Sequence, residues 1–246
     1  MILRRLVIGP GESIVDLGCG SGENTVELAR RAESGSVLGI DSSPAMIAGA
    51  NKLRATLDPR LADRVRFEHA DLATFDRYRR FSIALSNAAL HWASDHRACL
   101  ALWYKALKPG GWLVVQMPAN QNETAQATLL ALVREPPWSN WVGDRPVAPS
   151  HSVGTPAEYR SILSHAGYSE IDCHYHTFAH PMTSPVEIVE WSRATVLRPF
   201  LNCIPEARHR AFLAEWTRRL GLEYGTSGAL TFNFTRLFLW ARRPPA

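Results

Sequence analysis

The sequence predicts an α/β protein built on a Rossmann-like, doubly wound parallel sheet, and three observations carry that prediction. An apolar run, Ile14 to Leu17, enters the glycine cluster Gly18-Cys19-Gly20-Ser21-Gly22, and a helix-like segment, Asn24 to Arg31, leaves it. Strand, glycine turn and helix in that order make the first crossover of a nucleotide-binding sheet. Four further short apolar runs alternate with helical segments as far as Met117, the pattern of a parallel sheet covered by helices. At 246 residues and 46% hydrophobic content the chain can hold one sizeable domain with an insertion, or two small ones.

The glycine turn separates two cofactor classes. Gly18 and Gly20 can adopt positive φ and let the backbone approach a ligand where a Cβ would collide. A dinucleotide site uses G-x-G-x-x-G, with a small third residue and a bare helix N-terminus for the pyrophosphate. Here the spacing is G-x-G-x-G, position 23 is Glu, and Asp16 stands just before the turn. Carboxylates around a phosphate cradle repel phosphates. They suit a ligand that is cationic at its amino and sulfonium ends, which describes S-adenosylmethionine, and they disfavour an NAD-dependent oxidoreductase.

The remaining elements follow in order. Residues 1 to 12 carry arginines and a Pro10-Gly11 turn before the first strand. Ser36 to Ile40 is a second strand that puts Asp41 at its carboxyl end, 19 residues after Gly22. An acidic residue there accepts hydrogen bonds from ribose hydroxyls; the alternative is a helix cap ahead of Ser42-Ser43-Pro44. Both hold if Ser42 or Ser43 caps the helix and Asp41 is left for the ligand. In helix Pro44 to Leu57, Met46, Ile47, Ala50 and Leu53 share a face, as core or ligand wall. Val65 to Phe67 is a third strand leading to Asp71, a candidate acceptor for an adenine amino group or an ordinary loop aspartate. Phe81 to Leu85 is a fourth, and Ser86-Asn87-Ala88-Ala89-Leu90-His91-Trp92 forms its carboxyl-end loop. Ligands bind outside such ends, so His91 and Trp92 are placed for chemistry or stacking, with a structural Trp as the alternative. Helix Asp95 to Leu107 stops at Lys108-Pro109-Gly110-Gly111, and Trp112 to Met117 is the fifth strand.

The pattern then changes. An Ala-rich helix from Glu123 to Arg134, Pro136-Pro137, Trp138 and Trp141 read as an insertion, a lid over the site. Thr155-Pro156 opens another helix that Gly167 stops, and Ile171 to Phe178 alternates as a strand. Ser184-Pro185 caps a helix to about Thr195, Leu197-Arg198-Pro199-Phe200 follows, and residues 205 to 222 form one more helix. Leu230 to Trp240 is a final strand with Arg236 inside an apolar run, where an unpaired charge is costly.

Net charge is +4, with 27 Lys and Arg scattered along the chain; a nucleic-acid surface needs a contiguous basic stripe. Cys19, Cys99, Cys173 and Cys203 form no C-x-x-C pair, so zinc and redox motifs are not expected, and neither is a metal or a disulfide framework. No apolar run reaches ~18 residues and no signal sequence precedes the core. A soluble, cytoplasmic, monomeric protein without membrane or nucleic-acid partners is the expectation.

Val15-Asp16-Leu17-Gly18-Cys19-Gly20-Ser21-Gly22, Gly39-Ile40-Asp41-Ser42-Ser43-Pro44, Ala70-Asp71 and Lys108-Pro109-Gly110-Gly111 together resemble the class I S-adenosylmethionine-dependent methyltransferases. The resemblance implies a seven-stranded sheet with the last strand antiparallel, and a helical insertion after the fifth strand. A narrower resemblance runs through Ser86 to Trp92, Val115-Gln116-Met117-Pro118, Trp191 to Leu201 and Arg236-Leu237-Phe238. Those segments look like the branch of the class that esterifies a small tricarboxylate, trans-aconitate first. Members of that branch usually begin with a further segment bearing a tyrosine helix, so a native chain longer at its start, or a reduced lid, is expected.

By that resemblance residues 1–118 form the cofactor-binding core, 119–229 helical substrate-binding insertions with the sixth strand, and 230–246 the final strand and tail. Asp16, Gly18, Gly20, Asp41, Ser42, Met46, Asp71 and Asn87 are the expected cofactor residues. A carboxylate is already an anionic nucleophile, so no general base is required, and the work falls on alignment and on substrate clamps. Arginine suits those clamps because its planar guanidinium grips carboxylate bidentately and keeps its charge. Arg198 and Arg236 lead, then Arg193, with Tyr159, His91, Trp92, His151 and Trp141 as further contacts to a small anionic polycarboxylate. The alternatives are another carboxylate, such as a malonyl thioester, and a cofactor-binding protein without catalysis.

Overall fold

A computed structural model describes residues 6–143, 153–193 and 196–246. Its seven strands are β1 Ser13–Leu17, β2 Ser36–Asp41, β3 Val65–His69, β4 Phe81–Asn87, β5 Leu107–Pro118, β6 Ser169–Met182 and β7 Leu230–Arg242. They form one sheet in the order β3-β2-β1-β4-β5-β7-β6. The first five are parallel wherever they pair. Ile14, Val15 and Leu17 are fully buried, which is why β1 reads as a continuous apolar run: a central parallel strand is covered on both faces.

β7 runs against β5. The Gly110 N–H donates to the Arg243 carbonyl at 2.9 Å while the Ala119 N–H donates to the Thr235 carbonyl at 2.9 Å. Residue numbers rise along one strand as they fall along the other. The same reversal joins β6 to β7, since Ser169 Oγ donates to the Arg242 carbonyl at 3.3 Å and Thr177 Oγ1 lies 2.7 Å from Thr235 Oγ1. The antiparallel end of the sheet is therefore as expected.

The helices between the first five strands are α1 Glu23–Arg31, α2 Pro44–Ala55, the single turn α3 Pro59–Ala62 and α4 His96–Ala106. Of the two candidate serine caps, Ser43 is used: its Oγ accepts the Met46 N–H at 3.4 Å, with Pro44 opening the helix. Asp95 caps α4 by accepting the Ala98 N–H at 2.9 Å.

Two expected boundaries move most: β6 runs on past Phe178 to Met182, and β5 starts early. β5 begins at Leu107, not Trp112, and its pairing with β4 is irregular between Phe81 and Ile83. Gly110, at φ 80°, donates to the Arg243 carbonyl, and the Gly111 carbonyl accepts the Arg243 N–H at 2.8 Å. A stretch that reads locally as a turn is thus a bulged strand start, held by a partner more than a hundred residues away. The Arg243 guanidinium secures the same corner, with Nη1 donating to the carbonyls of Tyr104 at 2.9 Å, Lys105 at 3.3 Å and Leu107 at 2.8 Å.

After β5 come α5 Thr124–Val133, the short α6 Ser139–Val142, α7 Pro156–His165, α8 Pro185–Arg193, the single turn α9 Arg198–Leu201 and α10 Glu206–Tyr224. The chain divides into two compact units, Met1–Met117 with Gly154–Tyr175 and Leu237–Ala246, and Pro118–Val153 with His176–Arg236. β6 and β7 contribute to both. The second unit has its own core, in which Leu129, Ile188, Phe200, Phe212, Trp216 and Phe232 are buried together. Trp138 belongs to that core, its ring edge-on to Phe212 at 5.1 Å. Among the described residues no helix is long and apolar enough to cross a membrane.

Candidate functional site

The glycine turn leaves β1 with its donors pointing inward. The Gly18 and Cys19 N–H groups both donate to the Ile40 carbonyl at 2.8 Å, the Gly20 N–H donates to Asp41 Oδ2 at 3.0 Å, and the Gly22 N–H donates to the Cys19 carbonyl at 3.1 Å. A phosphate cradle needs such N–H groups free and aimed at the ligand. Here four of them are engaged inside the protein. With those four amides engaged, the loop offers no such cradle, in keeping with the carboxylates of Asp16 and Glu23 on either side of it.

Three strand-end loops and the end of β2 meet at Gly18. A Cβ built there would lie 2.2 Å from Ala89 Cβ, in the loop after β4, and 3.9 Å from Leu72 Cδ1, in the loop after β3. Its N–H is tied to the end of β2 through the Ile40 carbonyl. With φ 81° and no room for a side chain, the position admits only glycine. Gly20, at φ 57°, faces open space with nothing within 4 Å of the corresponding Cβ. The space beside Gly20 is bordered by the Asp41 carboxylate, a hydrogen-bond acceptor with negative charge.

The two aspartates occupy different levels. Asp41 reaches the loop: Oδ2 accepts from Gly20, and Oδ1 accepts the Ser43 N–H at 2.9 Å. Each oxygen retains a lone pair for a ligand hydroxyl. Asp16 lies underneath, 1% exposed, with Oδ2 accepting the Thr25 hydroxyl at 2.7 Å. Burial pushes its pKa up to about 6, opposed by the Thr25 hydrogen bond and reinforced by Asp41. Asp16 is therefore a support beneath the turn instead of a lining group. Glu23 is exposed and accepts the Ser21 hydroxyl at 2.8 Å.

Asp71 is exposed just past β3, with Oδ1 accepting the Ala73 N–H at 2.8 Å in an Asx turn. Ser42 and Met46 are exposed and Asn87 is half-buried at the end of β4. Ala88, next along, has φ 54°, a left-handed strain that non-glycine residues carry chiefly where loops are tightly determined. His91 is buried and Trp92 is 64% exposed, their rings 5.2 Å apart. All of these belong to the first unit.

The acceptor candidates separate. Tyr159, expected to offer a hydroxyl to the substrate, is 1% exposed in the first unit, and its hydroxyl lies 2.5 Å from His96 Nδ1. This placement contradicts the expectation: the capping box of Thr155 and Glu158 starts α7 so that Tyr159 turns inward. Burial lowers the His96 pKa. Arg193, Arg198 and Arg236 belong to the second unit. Arg193 is exposed, and its Nε donates to Glu190 Oε1 at 3.0 Å one helical turn away, the ordinary pairing of a helix surface. Arg198 is exposed at the start of α9. Arg236 is half-buried, its guanidinium carbon 5.2 Å from the Phe234 ring and 5.9 Å from the Phe178 ring. Trp141 is half-buried beside Trp138; His151 lies outside the described residues.

Sequence reasoning missed Thr25 and His69. Thr25 is a polar residue on the buried face of α1, between positions that pack on the sheet, and that face was its signal. His69 Nε2 meets the Ser42 carbonyl at 3.0 Å and ties the end of β3 to the loop after β2; nothing local announced it.

The strand order, the inward-turned glycine loop and the aspartate at the end of β2 define the fold of the class I methyltransferases. A family model described as a methyltransferase domain matches residues 14–111. The chain is 36% identical to the trans-aconitate 2-methyltransferase of Methylobacterium radiotolerans, over 98% of this chain and 91% of that one. Among solved structures it resembles the YcgJ protein of Bacillus subtilis, with TM-score 0.66 and 14% identity over 100% of this chain and 97% of that one. It also resembles Haemonchus contortus phosphoethanolamine N-methyltransferase 2 in complex with S-adenosyl-L-methionine, with TM-score 0.61 and 18% identity over 99% and 51%. The chain belongs to the trans-aconitate 2-methyltransferase family.

Proposed function

We propose that this protein moves a methyl group from S-adenosylmethionine to a carboxylate of a small polycarboxylic acid, trans-aconitate first, and so forms a methyl ester. The observation that carries this reading is the 36% identity, over nearly the whole of both chains, to an enzyme named for that reaction. The acidic glycine loop supports the cofactor half independently.

When bound, S-adenosylmethionine supplies an electrophilic methyl on a sulfonium centre. Gly20 leaves backbone-only clearance for it, Gly18 lets the turn pack close against Ala89 beneath it, Asp41 offers carboxylate lone pairs to its ribose, and Asp71 accepts from its adenine. Ser42, Met46 and Asn87 border the opening, and Asp16 adds a negative field from beneath. Each is assigned by its position on the strand ends.

On the acceptor side, Arg198 and Arg236 neutralise and align the acid. The reacting carboxylate is already ionised at neutral pH, so these residues need to position it and exclude water, a contribution that reaches ~7–11 kcal/mol in well-oriented systems. His91 and Trp92 border the β4 loop and orient what enters there. Arg193 has a partner of its own in Glu190 and plays a lesser part.

The test is methyl transfer from labelled S-adenosylmethionine to a panel of trans-aconitate, cis-aconitate, isocitrate and malonate-type acids. Base-labile label on trans-aconitate is expected. Cofactor binding without label on any acid would overturn the reading.

A further inference from the structure

Two large apolar side chains of the first unit are exposed in the loops that flank the glycine turn. The sheet order puts β1 between β2 and β4. Met46, 41% exposed, lies in the first turn of α2 beyond the end of β2, and Trp92, 64% exposed, follows β4. The loop that carries Trp92 is otherwise packed, with Ala89, Leu90 and His91 buried. Its backbone is held as well. The Trp92 N–H donates to the Ala89 carbonyl and the Ala93 N–H to the Leu90 carbonyl, each at 2.9 Å, around the single 3-10 turn Leu90–Trp92. Ala89 is the residue against which Gly18 packs. A fixed turn next to the glycine loop thus presents an indole that contributes little to the core.

Charge in these loops is one-sided. Residues 16–23, 41–46 and 86–95 contain Asp16, Glu23, Asp41 and Asp95 and no lysine or arginine. A sulfonium has no N–H or O–H to donate, so ordinary hydrogen bonds do not single it out. Such a cation is recognised by negative potential and by the π face of an aromatic ring, tryptophan above all.

Resting on the proposed function, we propose that Trp92 is the sulfonium-recognising residue of the cofactor site. With adenine at Asp71 after β3 and ribose at Asp41 after β2, the cofactor crosses the strand ends in sheet order. Its sulfonium then falls on the β1–β4 side, where Trp92 stands. The indole face attracts the positive charge of S-adenosylmethionine. Methyl transfer leaves neutral S-adenosylhomocysteine and ends that attraction, so the same ring favours exchange of product for fresh cofactor.

The experiment measures Kd for S-adenosylmethionine and S-adenosylhomocysteine by calorimetry in wild type, Trp92→Phe and Trp92→Leu. Melting temperature and the KM of trans-aconitate are read alongside. Trp92→Leu should weaken S-adenosylmethionine about fivefold or more and leave S-adenosylhomocysteine within about twofold. Trp92→Phe, which keeps a ring, should hold both within about threefold of wild type. Melting should move by no more than about 2 °C in either variant, because the side chain is exposed. Equal weakening of both ligands in Trp92→Leu would make the ring a surface for their shared adenosine. A raised trans-aconitate KM at unchanged cofactor affinity would make it an acceptor contact. Either result, or unchanged Kd values, overturns the sulfonium assignment while wild-type turnover keeps the proposed function standing. Failure of wild type to bind S-adenosylmethionine overturns both.

Discussion

The Thr25 hydroxyl donates a 2.7 Å hydrogen bond to the carboxylate of Asp16, which is buried directly beneath the glycine turn. The pair joins α1 to β1 under the loop, in a place where an ionised carboxylate is poorly solvated. Several measurable consequences issue from this and from neighbouring contacts.

The folded protein holds the Asp16 proton more tightly than the unfolded chain, with a pKa of about 6 against 3.8. The associated stability is present below the unfolded value and is lost as pH rises through about 6. Asp16→Asn keeps an acceptor for Thr25 without the charge. Relative to wild type it should gain roughly 2 kcal/mol between pH 4 and pH 7, read from urea unfolding at each pH. It should also weaken S-adenosylmethionine binding at neutral pH, because the negative field under the loop is gone.

Gly18→Ala and Gly20→Ala should part company. The first drives a methyl to 2.2 Å from Ala89 Cβ and strains a backbone at φ 81°, so a loss of about 3 kcal/mol or failure to fold is expected. The second meets nothing and costs only the left-handed strain, about 1 kcal/mol. Its larger effect should be on cofactor affinity, measured by titration with S-adenosylhomocysteine.

Arg243→Gln removes a guanidinium that donates to three carbonyls and lies 4.6 Å from the Tyr104 ring. A stability loss of about 2–3 kcal/mol is expected, with no change in KM for either substrate. A raised KM with unchanged melting would contradict the structural assignment.

Tyr159→Phe tests the corrected position of that residue. Loss of its hydroxyl leaves the buried His96 without its partner and should cost about 1–2 kcal/mol. Acceptor KM should stay within twofold. A tenfold rise would return Tyr159 to the substrate site.

The cofactor half of this molecule was legible because it is local. Asp16, Gly18, Gly20 and Asp41 lie within one crossover, and the strand ends place them together by connectivity. Tyr159 was misread because its direction depends on α7 packing against α4, a contact of residues 63 positions apart. The start of β5 was misread for the same reason: Gly110 and Gly111 signal a turn until Arg243 pairs with them. Gly22 carried a packing role that spacing alone did not disclose, since a Cβ there would lie 2.6 Å from the Phe67 ring. The acceptor residues were read by their chemistry, and the rings that flank Arg236, Phe178 and Phe234, emerged only with the alternation of β6 against β7.

β6 and β7 each start in one unit and finish in the other. The second unit is consequently not a cassette that recombination can swap by cutting at loops, since any exchange must cross the middle of two hydrogen-bonded strands and preserve their pairing, Thr177 beside Thr235 included. New acceptor preferences in this lineage should therefore arise by point substitution on the faces of those strands. Engineered chimaeras that exchange the unit will fold only when the two of their crossover points that fall inside β6 and β7 are placed in matching register.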